Sequence, residues 1–296
     1  MRKGRVKNKM IWILCSVIVL VIAVIVFFQI PYSPTRSAFQ KDVQMHIEQS
    51  SAMLSRVFAE QDIAHLPGPV QNHFRVAGLI GQPMMTSTRA FMQSVPLYDA
   101  IDKPPMIIDY TLYLFAHKPV RLAYIDTSMF GIPFEGFDST QDGVGFMKGV
   151  IGKIFTLFNE TGPEMDKGQL MTILGEAPLL PSVLLSEYIT WEHIDENHAR
   201  ATLTYKGITG SGVYTFDDTG FLQSFYTDER AKIGTDGSID FIGWSAVVDN
   251  WERNENGIYT PNTVKAIWHL TEGDLVYFEA NGFIIEFGYQ TKHTEQ

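Results

Sequence analysis

Three carboxylates stand beside glycine-rich stretches where chemistry is often done. Asp138 and Asp142 precede Gly143 and Gly145, and Glu176 closes an apolar helical run. A hydrolase would use such residues as general acid and base. With Asp126, the two aspartates are also the oxygen donors that a calcium site would need, although their spacing matches no EF-hand loop. Solvated loop carboxylates are the competing account. Arg230, in Asp228-Glu229-Arg230, ends a segment rich in aromatics. A guanidinium there can hold a carboxylate or phosphate headgroup through two parallel hydrogen bonds, or can pair with its acidic neighbours.

Other chemistries fail on spacing. A Walker loop ending at Gly152-Lys153 would need glycine at Met147 and Ser or Thr at Ile154. A G-x-G-x-x-G reading fails because Lys148 holds the third glycine's place. None of the 8 histidines is paired at His-x-x-x-His spacing, and the chain has 1 cysteine, so no zinc site is expected. Neither a Gly-x-Ser-x-Gly elbow nor a Ser-x-x-Lys pair occurs. No metal and no cofactor is implied.

Apolar residues offer a different chemistry. Phe146, Met147, Ile151, Ile154, Phe155 and Phe158 fall at spacings that predict a helix over 146–158, entered through the flexible glycine cluster. Its apolar surface is wider than one sheet face needs, so something must cover the surplus: other helices, membrane or a bound apolar molecule. Tyr110 lies on a long, two-sided apolar strand, Met106–Phe115. With Arg230 as a polar end, these residues form a candidate ligand site.

The elements that would position them begin with an anchor. Met10 to Phe28 is uncharged, and at about 1.5 Å per residue it spans roughly the hydrocarbon thickness of a bilayer. Arg2, Lys3, Arg5, Lys7 and Lys9 precede it with no acid, which places the N-terminus in the cytoplasm and the rest outside. The run is longer than a signal-peptide core, and no small-x-small site follows. The expected organisation is a basic tail at 1–9, a transmembrane segment at 10–30, a juxtamembrane stretch at 31–63 and one extracytoplasmic domain at 64–296. Beyond residue 9 the chain carries 18 Lys and Arg against 33 Asp and Glu, a net charge of −15. Such a surface repels nucleic acid and opposes self-association, so a monomer is expected. Cys15 lies inside the apolar run, so the exported part has no disulfide, as suits a bacterial surface domain held by its core.

Phe39, Val43, Ile47, Leu54 and Phe58 predict an amphipathic helix over 36–60. The segment Leu66-Pro67-Gly68-Pro69-Val70 through Gly78 predicts a short helix acting as plug or lid. A helix from Asp166 to Glu176 would open on a capping box with Gln169, and a short one would follow Pro181. From Trp191 onward the pattern is strand and turn, with turns at Gly210-Ser211-Gly212 and Asp217–Gly220 and strands at 221–229, 241–252, 258–268, 275–280 and 283–289. Phe283, Ile285, Phe287 and Tyr289 would share one face. The fold class is α+β: a transmembrane helix, then a curved antiparallel sheet, an open or half barrel, with helices inserted between its early and late strands.

Several of these stretches form a series: Leu66–Val70 with Ala77-Gly78, Pro133-Phe134-Glu135-Gly136-Phe137-Asp138, Asp142–Met147, Gly162–Leu170, and Phe216–Gly220 leading to Arg230. The series resembles a bacterial membrane-anchored family known only as a domain of unknown function, over about residues 64–289. That resemblance implies no reaction and no catalytic residues. The strand pattern is similar to the lipoprotein-carrier-like open barrels, which implies an apolar cavity under helices. Three functions remain open: a module binding a lipid or other apolar ligand, a scaffold for another membrane component, and a hydrolase using Asp138, Asp142 or Glu176.

Overall fold

The computed structural model describes residues 2–52, 56–234 and 237–288. Helix α1 (Arg2–Gln29) is uninterrupted, its side chains exposed from Asn8 to Phe27, and is long and apolar enough to cross a membrane. Ser33 and Pro34 then start α2 (Pro34–Ser51), with the Ser33 hydroxyl accepting from the Arg36 N–H at 3.0 Å. Helices α3 (Glu60–Ile63) and α4 (Gly68–Val76) put Ile63, Val70 and Phe74 into the core. Gly78, at φ 70°, ends this unit where a side chain would meet the Gly257 carbonyl at 2.8 Å.

Two meanders follow. The first is β1 (Ser87–Leu97), β2 (Met106–Phe115), β3 (Val120–Met129), β4 (Ile132–Gln141), β5 (Val144–Ile151) and β6 (Phe155–Thr161). Helix α5 (Pro163–Glu176) and two 3-10 turns, Ala177–Leu179 and Pro181–Leu185, lead to the second. It comprises β7 (Ile189–His193), β8 (His198–Tyr205), β9 (Ile208–Phe216) and β10 (Leu222–Thr227). A small ribbon of β11 (Ala231–Ile233) and β12 (Ile239–Phe241) intervenes before β13 (Gly243–Arg253), β14 (Tyr259–Leu270) and β15 (Gly273–Asn281). The meanders join where Leu97 of β1 faces Phe278 of β15, and β16 (Ile284–Gly288) pairs with the start of β1. All pairings are antiparallel, and β6 and β7 end the 14-stranded sheet without meeting, so it curves but does not close. The class is α+β, with α5 between the early and late strands.

Each face of the first meander has its own helix. Inside the curve α5 touches strands of both meanders and is buried throughout Gly168–Gly175. Outside, Phe39 and Val43 of α2 pack on Phe115, Leu122, Tyr124 and Phe137. That double covering is why β2 and β3 are apolar on both sides. His46 and Ser50 of α2 also bond to His117, with His46 reaching Gln141 at 2.7 Å.

Several expectations are corrected. Residues 146–158 form the β5–β6 hairpin rather than a helix, turning at Gly152-Lys153, both at positive φ. Because Phe146 faces α2's side and Met147 faces α5's, the run is apolar without a clear period of two, which periodicity cannot tell from a helix. The helix expected over 36–60 ends at Ser51; Phe58 is in the main core, and Leu54 lies outside the described residues. Gly210-Ser211-Gly212 lies within β9, and the hairpin turn is Lys206-Gly207, again at positive φ. Asp166 caps no helix: α5 starts at Pro163, and the Asp166 carboxylate accepts from the Gly145 N–H at 2.7 Å. In β16, Ile285 and Phe287 pack on the core with Phe283, while Tyr289 lies outside the described residues.

Candidate functional site

On β2, β3 and β4 the residues facing α5 include Tyr110, Arg121 and Asp138, in a row otherwise of Leu112, Ala123 and Ile125. Arg121 is 3% exposed, and all five of its N–H groups are used. Its Nε donates to Glu176 Oε2 at 2.7 Å and Nη2 donates to Oε1 at 3.0 Å; Nη2 also reaches the Tyr110 hydroxyl at 2.6 Å. Nη1 donates to Asp138 Oδ2 at 2.6 Å and to Gln169 Oε1 at 3.2 Å. Gln169 Nε2 in turn donates to Asp138 Oδ1. Burial alone would discourage the Arg121 charge, but Asp138 and Glu176 hold its pKa well above the usual guanidinium value. Burial raises the Glu176 pKa against the pull of Arg121, and it raises that of Tyr110 too. Glu176 is the last residue of α5, where a negative charge is unfavourable unless partnered. Arg121 is that partner.

Arg230 enters from beyond β10. Its guanidinium lies over the rings of Trp244 and Trp268 at 4.8 and 4.7 Å, and its Nε donates to Thr172 Oγ1 at 3.0 Å. It does not pair with its acidic neighbours: Glu229 binds Lys167 at 2.6 Å instead. Among the described residues no carboxylate lies within ion-pair distance of Arg230. Two cations, Arg121 and Arg230, thus stand with two anions, Asp138 and Glu176, around one space.

All four border the inner of two adjoining chambers between α5 and the sheet. The inner one, 150 Å³, has Met92, Ile108, Leu112, Leu179, Val248 and Phe278 among its apolar surroundings. The outer one, 480 Å³, is bounded by Met106, Met129, Phe134 and Phe158, with Asp99, Glu160 and Glu164 at its edge. Leu97, Ile125, Asp138, Met147, Arg230 and Tyr277 line both. Burial, and then the Asp138 charge, raises the Glu160 pKa. Space is kept narrow by close packing of α5: a Cβ on Gly175 would meet Trp244 at 2.6 Å.

Of the eight residues that the sequence singles out, Tyr110, Met147, Phe158 and Arg230 border these chambers. Phe146 packs on Phe137 on the opposite face, Ile151 borders neither chamber, and Ile154 and Phe155 are exposed at the hairpin tip. Of the expected carboxylates, Asp138 and Glu176 are brought together, while Asp142 and Asp126 lie apart from them. Asp142 sits in an exposed turn with Lys118 and Lys206, Asp126 pairs with Arg36, and Asp138 joins Glu176 on Arg121. Among the described residues no group of three or more His, Cys, Asp or Glu could hold a metal. Every oxygen of Asp138 and Glu176 already accepts from the protein, an arrangement that fixes α5 to the sheet rather than freeing a base. Sequence reasoning missed Arg121. Its signal was a lone charge inside the apolar strand Val120–Ile125.

Residues 56–280 match the profile described as a family of unknown function, DUF6544. No curated protein matches the chain. Among solved structures, an outer membrane lipoprotein-sorting protein domain from Vibrio parahaemolyticus is similar at 11% identity and a TM-score of 0.37, covering 71% of this chain and 87% of that one.

Proposed function

The chain belongs to DUF6544, a family of unknown function, and from that premise and the chamber lining we propose a membrane-held binding module for an amphiphile. In this reading residues 1–9 are a cytoplasmic tail and 10–30 the anchor. Residues 31–63, which pack on the sheet through α2 and enter the core at Phe58 and Ile63, lead from the anchor into an extracytoplasmic domain, 64–296. The apolar part of the ligand occupies the inner chamber, and its polar end meets Arg230 where the two chambers join.

The observation that carries this is a largely apolar chamber into which a few charged groups, Arg230 among them, are set. The inner volume of 150 Å³ is comparable to an apolar cavity of about that size that takes a benzene-sized group. The outer 480 Å³ falls within the range of about 300–1,000 Å³ usual for ligand pockets. A guanidinium over two indole rings is a prepared donor for an anionic headgroup, because its plane is held by the rings and, among the described residues, no carboxylate lies within ion-pair distance of it.

The test is photolabelling of the full chain in membranes with a diazirine-bearing fatty acid. Labelled peptides should include Leu112, Val248 or Phe278, which lie inside the sheet and do not touch bulk lipid. Labelling there should fall in Ala266→Phe, which fills the inner chamber, while labelling of α1 persists. Label confined to α1 would mean that the chamber is closed core.

A further inference from the structure

Two hairpin tips near the end of α1 present exposed apolar side chains. The β3–β4 turn presents Phe130, 96% exposed, and Ile132; the β5–β6 turn presents Ile154, Phe155 and Leu157, all more than half exposed. Residues 130–132 and 152–157 include one charge, Lys153, and no acid, in a chain whose net charge after residue 9 is −15. Even that charge is turned inward. Lys153 is 7% exposed, and its Nζ donates to the backbone carbonyls of Phe27, at 3.1 Å, and Ile30.

This contact sets depth as well as direction. Phe27 and Phe28 end the uncharged run of α1, and a run of that length places its last turn near the edge of a leaflet. A Cβ on Gly152 would lie 3.8 Å from the Phe28 ring, so the β5–β6 tip is level with that turn. A tip fixed there cannot stay in bulk water if α1 spans a bilayer. Aromatic and aliphatic side chains are the residue types that the interface takes up, and a lysine whose ammonium is hydrogen-bonded by helix carbonyls can follow them.

We propose that the β3–β4 and β5–β6 tips form a wedge that dips into the leaflet from which α1 emerges. The bilayer, rather than a second protein, is the partner because the wedge continues the apolar surface of α1 and offers no charge for a protein or an anionic headgroup to read. Met129, Phe134 and Phe158 border the outer chamber from positions beside the wedge residues Phe130, Ile132 and Leu157. The wedge therefore sets the mouth of the chamber against the membrane. This deepens the binding reading by naming the surface from which a ligand enters, yet its test makes no use of the chamber's contents.

The full chain, in a Cys15→Ser background, is labelled with an environment-sensitive fluorophore at Phe130→Cys, at Ile154→Cys or at Phe155→Cys. It is reconstituted in phosphatidylcholine vesicles, with and without phosphatidylglycerol. A control label at Asn256→Cys reports the turn beside Gly78, away from the wedge. Emission from the three wedge labels should be blue-shifted and quenched severalfold more by doxyl-labelled lipid than by aqueous iodide, equally in both lipid mixtures. The control should show the reverse. Iodide quenching at the wedge without doxyl quenching would overturn the proposal. So would a blue shift that disappears on dilution of the protein in the bilayer, which would assign the tips to a second copy of the chain.

Discussion

Arg121 and Glu176 meet through two parallel hydrogen bonds, Nε to Oε2 at 2.7 Å and Nη2 to Oε1 at 3.0 Å. The pair ties the last residue of α5 to the middle of the first meander, and Asp138 and Tyr110 complete the guanidinium's contacts. Removing one member of a buried pair leaves a charge that neither water nor protein satisfies. Arg121→Met should therefore lower the unfolding free energy by about 3–5 kcal/mol. Adding Glu176→Gln removes one of the stranded carboxylates, so the double variant should fall short of the summed singles by at least about 1 kcal/mol. Urea unfolding of the four proteins measures this. Additivity to within a few tenths would mean that the pair is not coupled.

Arg230 has a different role, and its loss should tell differently. It is half-buried on the chamber wall, held by rings and one hydroxyl rather than by a carboxylate. Arg230→Met keeps the stem against Trp244 and Trp268 and removes the charge. A long-chain fatty acid should lose about tenfold in affinity, about 1.4 kcal/mol, whereas the corresponding fatty alcohol should be nearly unaffected. Titration with both ligands, read by tryptophan emission, separates the outcomes. Equal losses for acid and alcohol would remove the headgroup role from Arg230.

The parts of the fold that were legible in sequence are those with one dominant period. The uncharged run of α1, the alternation in β2, the Pro-then-Gly frame of α4 and the Asp217–Gly220 turn each follow from a local rule. The β5–β6 hairpin was not legible, because Phe146 faces α2's side, Met147 faces α5's, and the tip exposes Ile154, Phe155 and Leu157, so its sequence is apolar without alternation. Gly210 and Gly212 misled for a related reason. They mark close packing of Met171 and Phe225 on β9 rather than a bend. The chamber itself joins residues as distant as Met92 and Phe278, and no local pattern brings those together. Arg230 was visible as a charge after aromatics, but the partners assumed for it were its neighbours in sequence rather than Trp244 and Trp268.

The proposed topology rests on the basic tail and on α1. Protease added to right-side-out vesicles or protoplasts should remove residues beyond about 31 and spare an epitope placed before residue 10, because five basic residues precede the apolar run. Permeabilised vesicles should lose the epitope as well. Protection of the large domain in sealed right-side-out vesicles would reverse the assigned orientation.

His73 supplies a pH dependence whose sign is fixed by its surroundings. It projects from α4 into the core, 1% exposed, among Phe216, Phe221 and Trp251, and its Nδ1 accepts from the Leu222 N–H at 3.2 Å. Burial pushes the imidazole down to about 4, outweighing the raising influence of Gly220 and Asp217. Above its unfolded pKa of 6.5, neither state holds the proton. Between the two values the unfolded chain binds a proton that the folded one refuses, so stability declines as pH falls from 6.5 toward about 4. The loss from this residue should reach about 2 kcal/mol at pH 5 and about 3 kcal/mol in full. His117, also lowered to about 4 by burial with His46 and Lys118 nearby, works in the same direction from a more exposed site. His73→Gln keeps an acceptor for Leu222 and cannot titrate. Its urea midpoint should be lower at pH 7 but fall less between pH 7 and pH 5, by about 2 kcal/mol on conversion with the m-value. Parallel declines in the two proteins would show that His73 is protonated as readily inside the core as outside it.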